Sequence, residues 1–259
     1  PHALILVLRD ITTMIEAENL RQDLTYMMIH DLRGPLSSVM TSLDMLTKQM
    51  MGAVNEGQSK ILRIASRSSR RLLDMVNLLM DISKLESGQM PITPAPVALP
   101  DVFRSVVQNY EPLLGERKVE VVMSIQPDLP LAMIDIEPIE RVVQNLLDNA
   151  IKYSPAGGQI VLGARVATAA DLAADHPEGR WLLVTVRDAG PGIAPQYRER
   201  VFVKFAQVQK ASVKGTGLGL TYSRLAVETH GGRIWVSGDD APGAIFTLTV
   251  PMLDPALPA

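Results

Sequence analysis

Two long stretches in which apolar residues recur every three or four positions constrain the fold of this 259-residue chain most strongly. Such spacing places the apolar side chains on one face of an α-helix. The first stretch contains Met28, Leu32, Leu36, Val39, Leu43, Leu46 and Met50. The second contains Ile61, Ala65, Leu72, Met75, Leu79 and Ile82. Because residues 52–57, which begin and end with glycine, interrupt this spacing, the sequence predicts a hairpin of two long helices.

The first helix is predicted to begin near Thr12, where Thr13 and Glu16 have capping-box spacing, and to continue through Pro35. Its early part carries a coiled-coil seam at Ala17, Leu20, Leu24 and Met27. One hairpin cannot bury apolar faces this long, and two hairpins can bury them in a four-helix bundle. We therefore expect a homodimer.

A proline-rich linker at residues 90–100 leads into a segment with a different pattern. This segment predicts helices at 101–117, 138–153 and 218–230, and strands at 119–125, 131–135, 159–167, 181–188, 233–238 and 245–250. The expected fold is a mixed sheet with helices on one side. Residues 192–217 are polar and rich in glycine at their end, which predicts a mobile loop over a ligand.

Composition narrows the class of protein. A hydrophobic content of 47% indicates a buried core, and a net charge of −3 gives no electrostatic reason to expect nucleic acid. The absence of cysteine excludes disulfides and thiolate chemistry and suits the cytoplasm. No apolar run approaches the roughly 20 residues of a membrane-spanning helix. The chain opens with Pro1, and residues 3–8 resemble a strand with no neighbouring strand to pair with. We therefore expect a fragment of a longer protein. Whether that longer protein is anchored in a membrane is unknown.

A candidate phosphate acceptor lies in the first predicted helix. His30 falls about 200° around the helix from both Met28 and Leu32, so its ring is expected to point away from the apolar stripe. The neighbouring Asp31 could accept a hydrogen bond from the ring and raise the nucleophilicity of its other nitrogen. Gly34 and Pro35 follow, and inside a helix this pair lowers the stability of the helix by about 3–4 kcal/mol. The alternative is that this pair ends one helix and begins another, with His30 an ordinary surface residue.

A candidate phosphate-donor site lies in the second half of the chain. Asn145, Asn149 and Lys152 share one face of a predicted helix, where an amide oxygen could bind Mg²⁺ and the ammonium a phosphate. Asp188 ends a strand and could accept from an amino group, while Gly190 and Gly192 let the backbone approach a flat ligand. A second glycine-rich segment opens a helix whose exposed amides could bind phosphate, and contains Lys214, Gly215, Thr216, Gly217, Leu218 and Gly219.

These motifs, in this order, resemble those of the sensor histidine kinases of two-component signalling. The resemblance covers an H-box at 30–36, an N-box at 145–153, a G1 box at 188–192, an F-box at 202–205 and a G2 box at 215–219. It implies an α+β protein: a helical-hairpin dimerisation and phosphoacceptor (HisKA) domain, then an α/β-sandwich ATP-binding domain of the GHKL type (Bergerat fold). The implied boundaries are the end of a PAS-like sensor domain at 1–11, the coiled coil and phosphoacceptor domain at 12–88, a linker and first strand at 89–99, the ATP-binding domain at 100–253 and a tail at 254–259.

The resemblance also implies residue roles. His30 would be autophosphorylated and oriented by Asp31, and the phosphoryl group would pass to an aspartate on the receiver domain of a response regulator. Asn149 would bind Mg²⁺, Lys152 a phosphate of ATP, and Asp188 the adenine. The implied ATP-binding residues also include Asn145, Tyr153, Gly190, Gly192, Lys214, Gly215, Thr216, Gly217, Leu218 and Gly219. A non-catalytic nucleotide-binding dimer is the alternative function.

Two positions bear on related activities. Hydrolytic GHKL ATPases carry a water-activating Glu where this chain has Asn145, so ATP is expected to be held for transfer. Many histidine kinases have Thr or Asn four residues after the phosphorylated histidine, where it positions water for dephosphorylation of the regulator. Gly34 has no side chain to do so, which predicts weak or absent phosphatase activity.

Overall fold

The computed structural model describes residues 12–206, 215–238 and 243–253, and in the first helix it describes side chains at 27–29 and from 31 onward. The chain divides into two compact units, Pro1–Gln89 and Met90–Ala259. Within the described ranges, no helix has both the length and the apolar character needed to cross a membrane. The strand predicted at 3–8 lies outside the described residues.

The first unit contains the predicted helical hairpin. Helix α1 is Thr12–Thr47 and helix α2 is Glu56–Glu86, and the two pack against each other. Asn55 caps α2 because its side chain accepts from the Gln58 backbone N–H at 2.8 Å, while the Gln58 side chain accepts from the Asn55 N–H at 2.9 Å. The predicted start of α1 and the end of α2 before Gly88 are confirmed.

Helix α1 continues through Pro35, as the apolar spacing predicts. The helices are joined near this point by Arg33, whose Nε donates to Asn77 Oδ1 at 3.1 Å and whose Nη2 lies 2.8 Å from Met80 Sδ. The proline-containing turn therefore stays helical while it is attached to α2. The alternative in which Gly34 and Pro35 end one helix and begin another is wrong.

Gly34 lies in the α1 interior, directly before Pro35. Apart from its two chain neighbours and the helix's own backbone, an added Cβ would meet nothing within 4 Å. Alanine has a higher helix propensity than glycine by about 1 kcal/mol, but a Cβ on the residue before proline crowds the proline ring in a helix, so we expect Gly34→Ala to change the free energy of unfolding by less than about 1 kcal/mol. Thermal or urea denaturation measures the change. Gly52→Ala is the matched control: the space there is equally open but φ is +115°, so this substitution should destabilise the protein.

The second unit contains three helices and seven strands among its described residues. Its helices are α3 (Leu99–Arg117), α4 (Ile136–Tyr153) and α5 (Gly219–Thr229). Its strands are β1 (Ala95–Val97), β2 (Glu120–Ile125), β3 (Ala132–Ile134), β4 (Gln159–Val166), β5 (Trp181–Arg187), β6 (Ile234–Ser237) and β7 (Ile245–Pro251). Two short 3₁₀ turns, Pro195–Tyr197 and Arg200–Phe202, follow β5.

The main sheet has the strand order β2-β4-β5-β7-β6. Strands β2 and β4 are parallel, and the remaining pairs are antiparallel, so the predicted mixed sheet is confirmed. Helix α3 contacts β2, α4 contacts β5, and α5 contacts β6 and β7. The layer between helices and sheet is fully buried at Leu99, Phe103, Val142, Leu146, Leu147, Leu162, Leu182 and Leu248. Each such side chain contributes roughly 1.5–3 kcal/mol through burial.

Part of the predicted linker belongs to the second unit. Strand β1 pairs antiparallel with β3, and the Thr93 backbone N–H donates to Asp135 Oδ2 at 2.9 Å. These interactions leave only a short connection after Ser87, the C-cap of α2. Residues 95–97 are therefore part of the folded unit and do not act as a tether.

A buried histidine connects the end of α5 to the start of α4. His230 Nδ1 lies 2.7 Å from the Ala226 carbonyl oxygen, which can only accept, so Nδ1 carries the proton. The other ring nitrogen, Nε2, then accepts from the Asp135 backbone N–H at 3.0 Å. Asp135 is the N-cap of α4. The His230 ring thus connects α4, which carries Asn145, Asn149, Lys152 and Tyr153, to α5, which begins at Gly219.

Candidate functional site

Helix α4 and the start of α5 meet at Asn145. The Asn145 Nδ2 donates to the Gly219 carbonyl oxygen at 3.3 Å, and a Cβ on Gly219 would lie 3.3 Å from Asn145 Oδ1. The predicted N-box and G2 box are therefore in direct contact. The amide of Asn145 connects two backbone segments, and it provides no carboxylate that could activate water.

Asn149 lies one turn further along the same face of α4. Its side chain is half-buried and has no hydrogen-bond partner among the residues that the structure describes. An amide oxygen of this kind is a hard ligand, which suits Mg²⁺ when nucleotide phosphates and water supply the other ligands. The donor atom at Asn149 thus fits the predicted metal role.

Lys152 has a partner that the sequence analysis did not assign. Its ammonium forms an ion pair with the carboxylate of Asp148, four residues earlier on α4, and both side chains are about one third exposed. Nearby, burial and then the charge of Asp148 raise the pKa of Tyr110 to about 12, which keeps this phenol protonated at neutral pH. Lys152 is therefore oriented by Asp148 before any phosphate arrives.

Asp188 directly follows β5 and is only 7% exposed. Its Oδ1 accepts from the Gly190 N–H at 2.8 Å and from the Ala244 N–H at 3.0 Å. Burial raises the pKa of Asp188, and these two backbone hydrogen bonds oppose the shift. Oδ2 has no hydrogen-bond partner among the described residues, so one carboxylate oxygen is fixed and the other can accept from a ligand.

The C-terminal end of α4 meets the loop that carries Asp188. The Ser154 hydroxyl accepts from the Ala189 backbone N–H at 3.2 Å. Tyr153, at the end of α4, keeps 38% of its surface exposed, and its carbonyl would lie 2.9 Å from a Cβ on Gly190. The N-box and the G1 box are therefore adjacent, and the backbone carbonyl of Tyr153 lies at their junction.

The G2 segment leads into α5 and contacts the F-box. Gly217 has φ +69°, and a Cβ there would come within 2.7 Å of the Phe205 backbone, so only glycine fits. Its carbonyl accepts from the Phe205 N–H at 2.9 Å, and Thr216 Oγ1 accepts from the Leu218 N–H at 3.3 Å. Gly215 precedes this turn, and the predicted Lys214 lies outside the described residues.

The F-box itself packs onto α5. Phe202 is buried, and the Arg224 guanidinium lies 4.3 Å from its ring centroid while donating to Glu199 Oε2 at 2.8 Å. Thr221 Oγ1 donates to the Phe202 carbonyl at 2.9 Å. In contrast, Phe205 is 59% exposed. The two phenylalanines thus differ: Phe202 anchors the segment, and Phe205 faces solvent.

The candidate acceptor lies in the other unit. His30 is within α1, but its side chain is outside the described set, so the predicted direction of its ring stays a prediction. Asp31 is exposed on the next position of the helix. Arg33, two positions further, attaches this turn of α1 to α2.

Several residues that shape the site were missed by the sequence analysis. Asp148 could have been found, since an acid four residues before a lysine on a helix is a common ion pair. Gly243 was signalled only by the Pro-Gly dipeptide that it ends. Arg198 and Ala244 contribute to the site through contacts with residues that are distant in the sequence. No local sequence pattern indicates such contacts.

Comparisons with known proteins agree with this architecture. Residues 20–88 match the family described as the His Kinase A (phospho-acceptor) domain. Residues 134–254 match the family described as histidine kinase-, DNA gyrase B- and HSP90-like ATPase. The two matches correspond to the helical hairpin and to most of the second unit.

Individual relatives are sensor kinases. The adaptive-response sensory kinase SasA of Crocosphaera subtropica is 31% identical over 248 residues, which cover 92% of this chain and 62% of SasA. The alginate biosynthesis sensor protein KinB of Pseudomonas aeruginosa is 29% identical over 248 residues, covering 96% of this chain and 40% of KinB. The chain thus spans less than two thirds of the length of either relative.

A solved structure extends the similarity to three dimensions. The crystal structure of full-length ShkA in complex with AMPPNP superposes with a TM-score of 0.74 at 26% identity, covering 92% of this chain and 47% of ShkA. The order of the two matched families agrees with the order of the two units. The chain belongs to the sensor histidine kinases.

Proposed function

We propose that this chain phosphorylates itself on His30 with ATP and then passes the phosphoryl group to an aspartate of a response-regulator receiver domain. The observation that carries the proposal is the meeting of α4, the Asp188 loop and the start of α5 in one ATPase-type unit, in the same chain as a phospho-acceptor hairpin. Because ATP is the proposed donor, the chain would work in the cytoplasm.

Asp188 is the proposed reader of adenine. Its Oδ2 would accept from the exocyclic amino group, while Oδ1 stays bound to the Gly190 and Ala244 N–H groups. The glycine-rich turn 215–219 opens α5, where backbone N–H groups suit phosphate oxygens. The exposed ring of Tyr153 is proposed as a wall of the base pocket.

Asn149 is the proposed protein ligand for Mg²⁺. When bound, Mg²⁺ would neutralise the charge of the nucleotide phosphates. Lys152 would contact a phosphate. Its ion pair with Asp148 would hold the ammonium in place, and the ammonium would keep its positive charge there. Asn145 has no carboxylate, which supports transfer of the phosphoryl group over hydrolysis.

The proposed transfer is an in-line displacement. A ring nitrogen of His30 forms the new N–P bond as the bond from the γ-phosphorus to the bridging oxygen breaks, and ADP leaves with that oxygen. Asp31 would accept the proton of the other ring nitrogen and so orient the imidazole. The protein's main contributions are placement of the two reactants and neutralisation of charge.

A homodimer is proposed from the apolar surface that the single hairpin leaves exposed. Between 39% and 68% of the side-chain surface remains accessible at Met28, Leu32, Val39, Leu46, Met50, Ile61 and Leu72. A contiguous apolar stripe of this length marks an association surface. Pairing with a second hairpin would bury it in a four-helix bundle.

The chemistry is tested by incubating the purified protein with Mg-ATP and mapping the phosphorylated residue. We expect one phosphate that is stable in alkali, labile in acid and located on His30. Addition of receiver domains should then remove the phosphoryl group from His30. An aspartyl phosphate, which is more stable in acid than the phosphohistidine, should appear on the receiver domain. Nucleotide binding without any phosphorylation would instead support a non-catalytic signalling dimer.

A further inference from the structure

Arg198 connects the two backbone segments that surround Asp188. It follows the Pro195–Tyr197 turn and is half-buried. Its Nη2 donates to the Gly238 carbonyl oxygen at 2.8 Å, and its Nε lies 3.4 Å from the Ile193 carbonyl oxygen. One carbonyl belongs to the loop after Asp188, and the other follows the end of β6.

The segment entering β7 fixes the backbone of Asp188 as well as its side chain. The Asp188 N–H donates to the Ala244 carbonyl at 3.0 Å, and the Ala244 N–H donates to Asp188 Oδ1 at 3.0 Å. Gly243 has φ +118°, and a Cβ there would lie 2.1 Å from the Asp188 carbonyl oxygen. No other residue fits so close to Asp188.

Both backbone segments that Arg198 contacts come close to Gly243. A Cβ on Gly238 would lie 3.2 Å from the Gly243 carbonyl oxygen, and a Cβ on Gly192, which precedes Ile193, would lie 3.0 Å from the same atom. Gly243 is therefore held between the two segments that Arg198 joins. Movement of either segment would change the position of the Ala244 N–H that orients the Asp188 carboxylate.

We propose that Arg198 is a positioning residue for base recognition, which rests on the proposed function because it assumes that Asp188 reads adenine. The guanidinium holds the 193 and 238 backbones at a fixed separation, so Oδ1 of Asp188 keeps both of its hydrogen bonds and Oδ2 keeps its direction. Arginine suits this role because its planar group has several N–H donors at fixed angles, whereas lysine has a single nitrogen.

The test compares Arg198→Ala, Arg198→Lys and Arg200→Ala. Arg200 is exposed and lies two residues away, so its removal changes the charge equally without removing the connection. Calorimetric titration gives the affinity of each variant for ATP and for inosine triphosphate, which lacks the amino group. We expect Arg198→Ala to weaken ATP binding about 3- to 10-fold with little effect on inosine triphosphate. Arg198→Lys should restore part of the preference, and Arg200→Ala should match the wild type.

A double variant separates positioning from a general loss of structure. In the Asp188→Asn background the base preference is already lost, so adding Arg198→Ala should produce no further change in the ratio of the two affinities. An equal loss for both nucleotides in Arg198→Ala, or a preference identical to that of Arg200→Ala, overturns the inference. If the wild type itself does not prefer ATP, or Asp188→Asn keeps the preference, the assignment of Asp188 fails and the proposed role of Arg198 fails with it.

Discussion

Replacement of His30 by glutamine is expected to abolish acid-labile phosphorylation completely while nucleotide binding continues. Glutamine is polar, uncharged and compatible with a helix, so α1 should persist. Its amide nitrogen is not nucleophilic, because the lone pair is delocalised into the carbonyl. The ATP affinity should be unchanged, because the proposed nucleotide-binding residues all belong to the Met90–Ala259 unit.

The measurement uses radiolabelled ATP with equal amounts of wild type and His30→Gln. We expect label on the wild type and a loss of at least about 1,000-fold in the variant, because no other group replaces the nucleophile. Asn149→Ala is a useful comparison: it should also lose label, but through weaker binding of Mg-ATP. Persistent acid-labile label on His30→Gln would place the phosphate elsewhere and remove the basis for the proposed reaction.

The helical hairpin could be predicted because the apolar spacing that indicates each helix lies within the sequence of that helix. Apolar residues spaced three and four positions apart are sufficient to indicate a helix. This spacing correctly predicted that α1 continues through Pro35. The interruption at 52–57 indicated the turn, whereas the Asn55 cap that begins α2 was found only in the structure. By contrast, the direction of the His30 ring depends on one side chain and remains a prediction.

The second unit shows where local patterns stop being informative. The prolines around residue 96 indicated only a linker, and a first strand within 89–99 was implied by the family resemblance alone. The segment forms β1 because its backbone pairs with β3, nearly 40 residues further along. Likewise, the spacing of the N-box indicated that Lys152 faces the site but not that Asp148 holds it. Strand pairing and ion pairing depend on partners that a local pattern does not identify.

The glycines of the site illustrate the same limit. Gly190 and Gly217 were found as members of short motifs. Gly243 was not, although a Cβ on it would lie 2.1 Å from Asp188, closer than the 2.9 Å of a Cβ on Gly190. Its importance arises from the approach of β7 to the loop after β5, a tertiary contact between segments more than 50 residues apart.

Asp188→Asn is expected to weaken adenine nucleotide binding while it stabilises the empty protein. The asparagine carbonyl can accept the Gly190 and Ala244 N–H groups that Oδ1 accepts now. Its NH₂ group would then replace Oδ2 and face the amino group of adenine, donor against donor. Loss of a hydrogen bond to a charged acceptor corresponds to an affinity decrease of about 10- to 100-fold.

The stability effect has the opposite sign because burial raises the pKa of Asp188. A carboxyl group whose pKa is higher in the folded than in the unfolded protein favours folding when protonated, and this contribution is lost as pH rises through the folded-state pKa. Above that pKa the wild type carries a buried charge that the asparagine variant lacks. The variant should therefore unfold at a higher temperature near pH 8, and its advantage should shrink as the pH falls and Asp188 becomes protonated.

Both effects are measured on the same samples, by calorimetric titration with ATP and by thermal denaturation from pH 5 to pH 8. Asp128→Asn serves as the control, since Asp128 is exposed in the turn between β2 and β3 and undergoes the same change of charge. The Asp128→Asn variant should bind ATP with the same affinity as the wild type. A stabilised variant with undiminished ATP affinity would mean that the Asp188 charge is unrelated to the base. A loss of both stability and affinity would mean that the carboxylate holds the loop together through contacts that the amide cannot make.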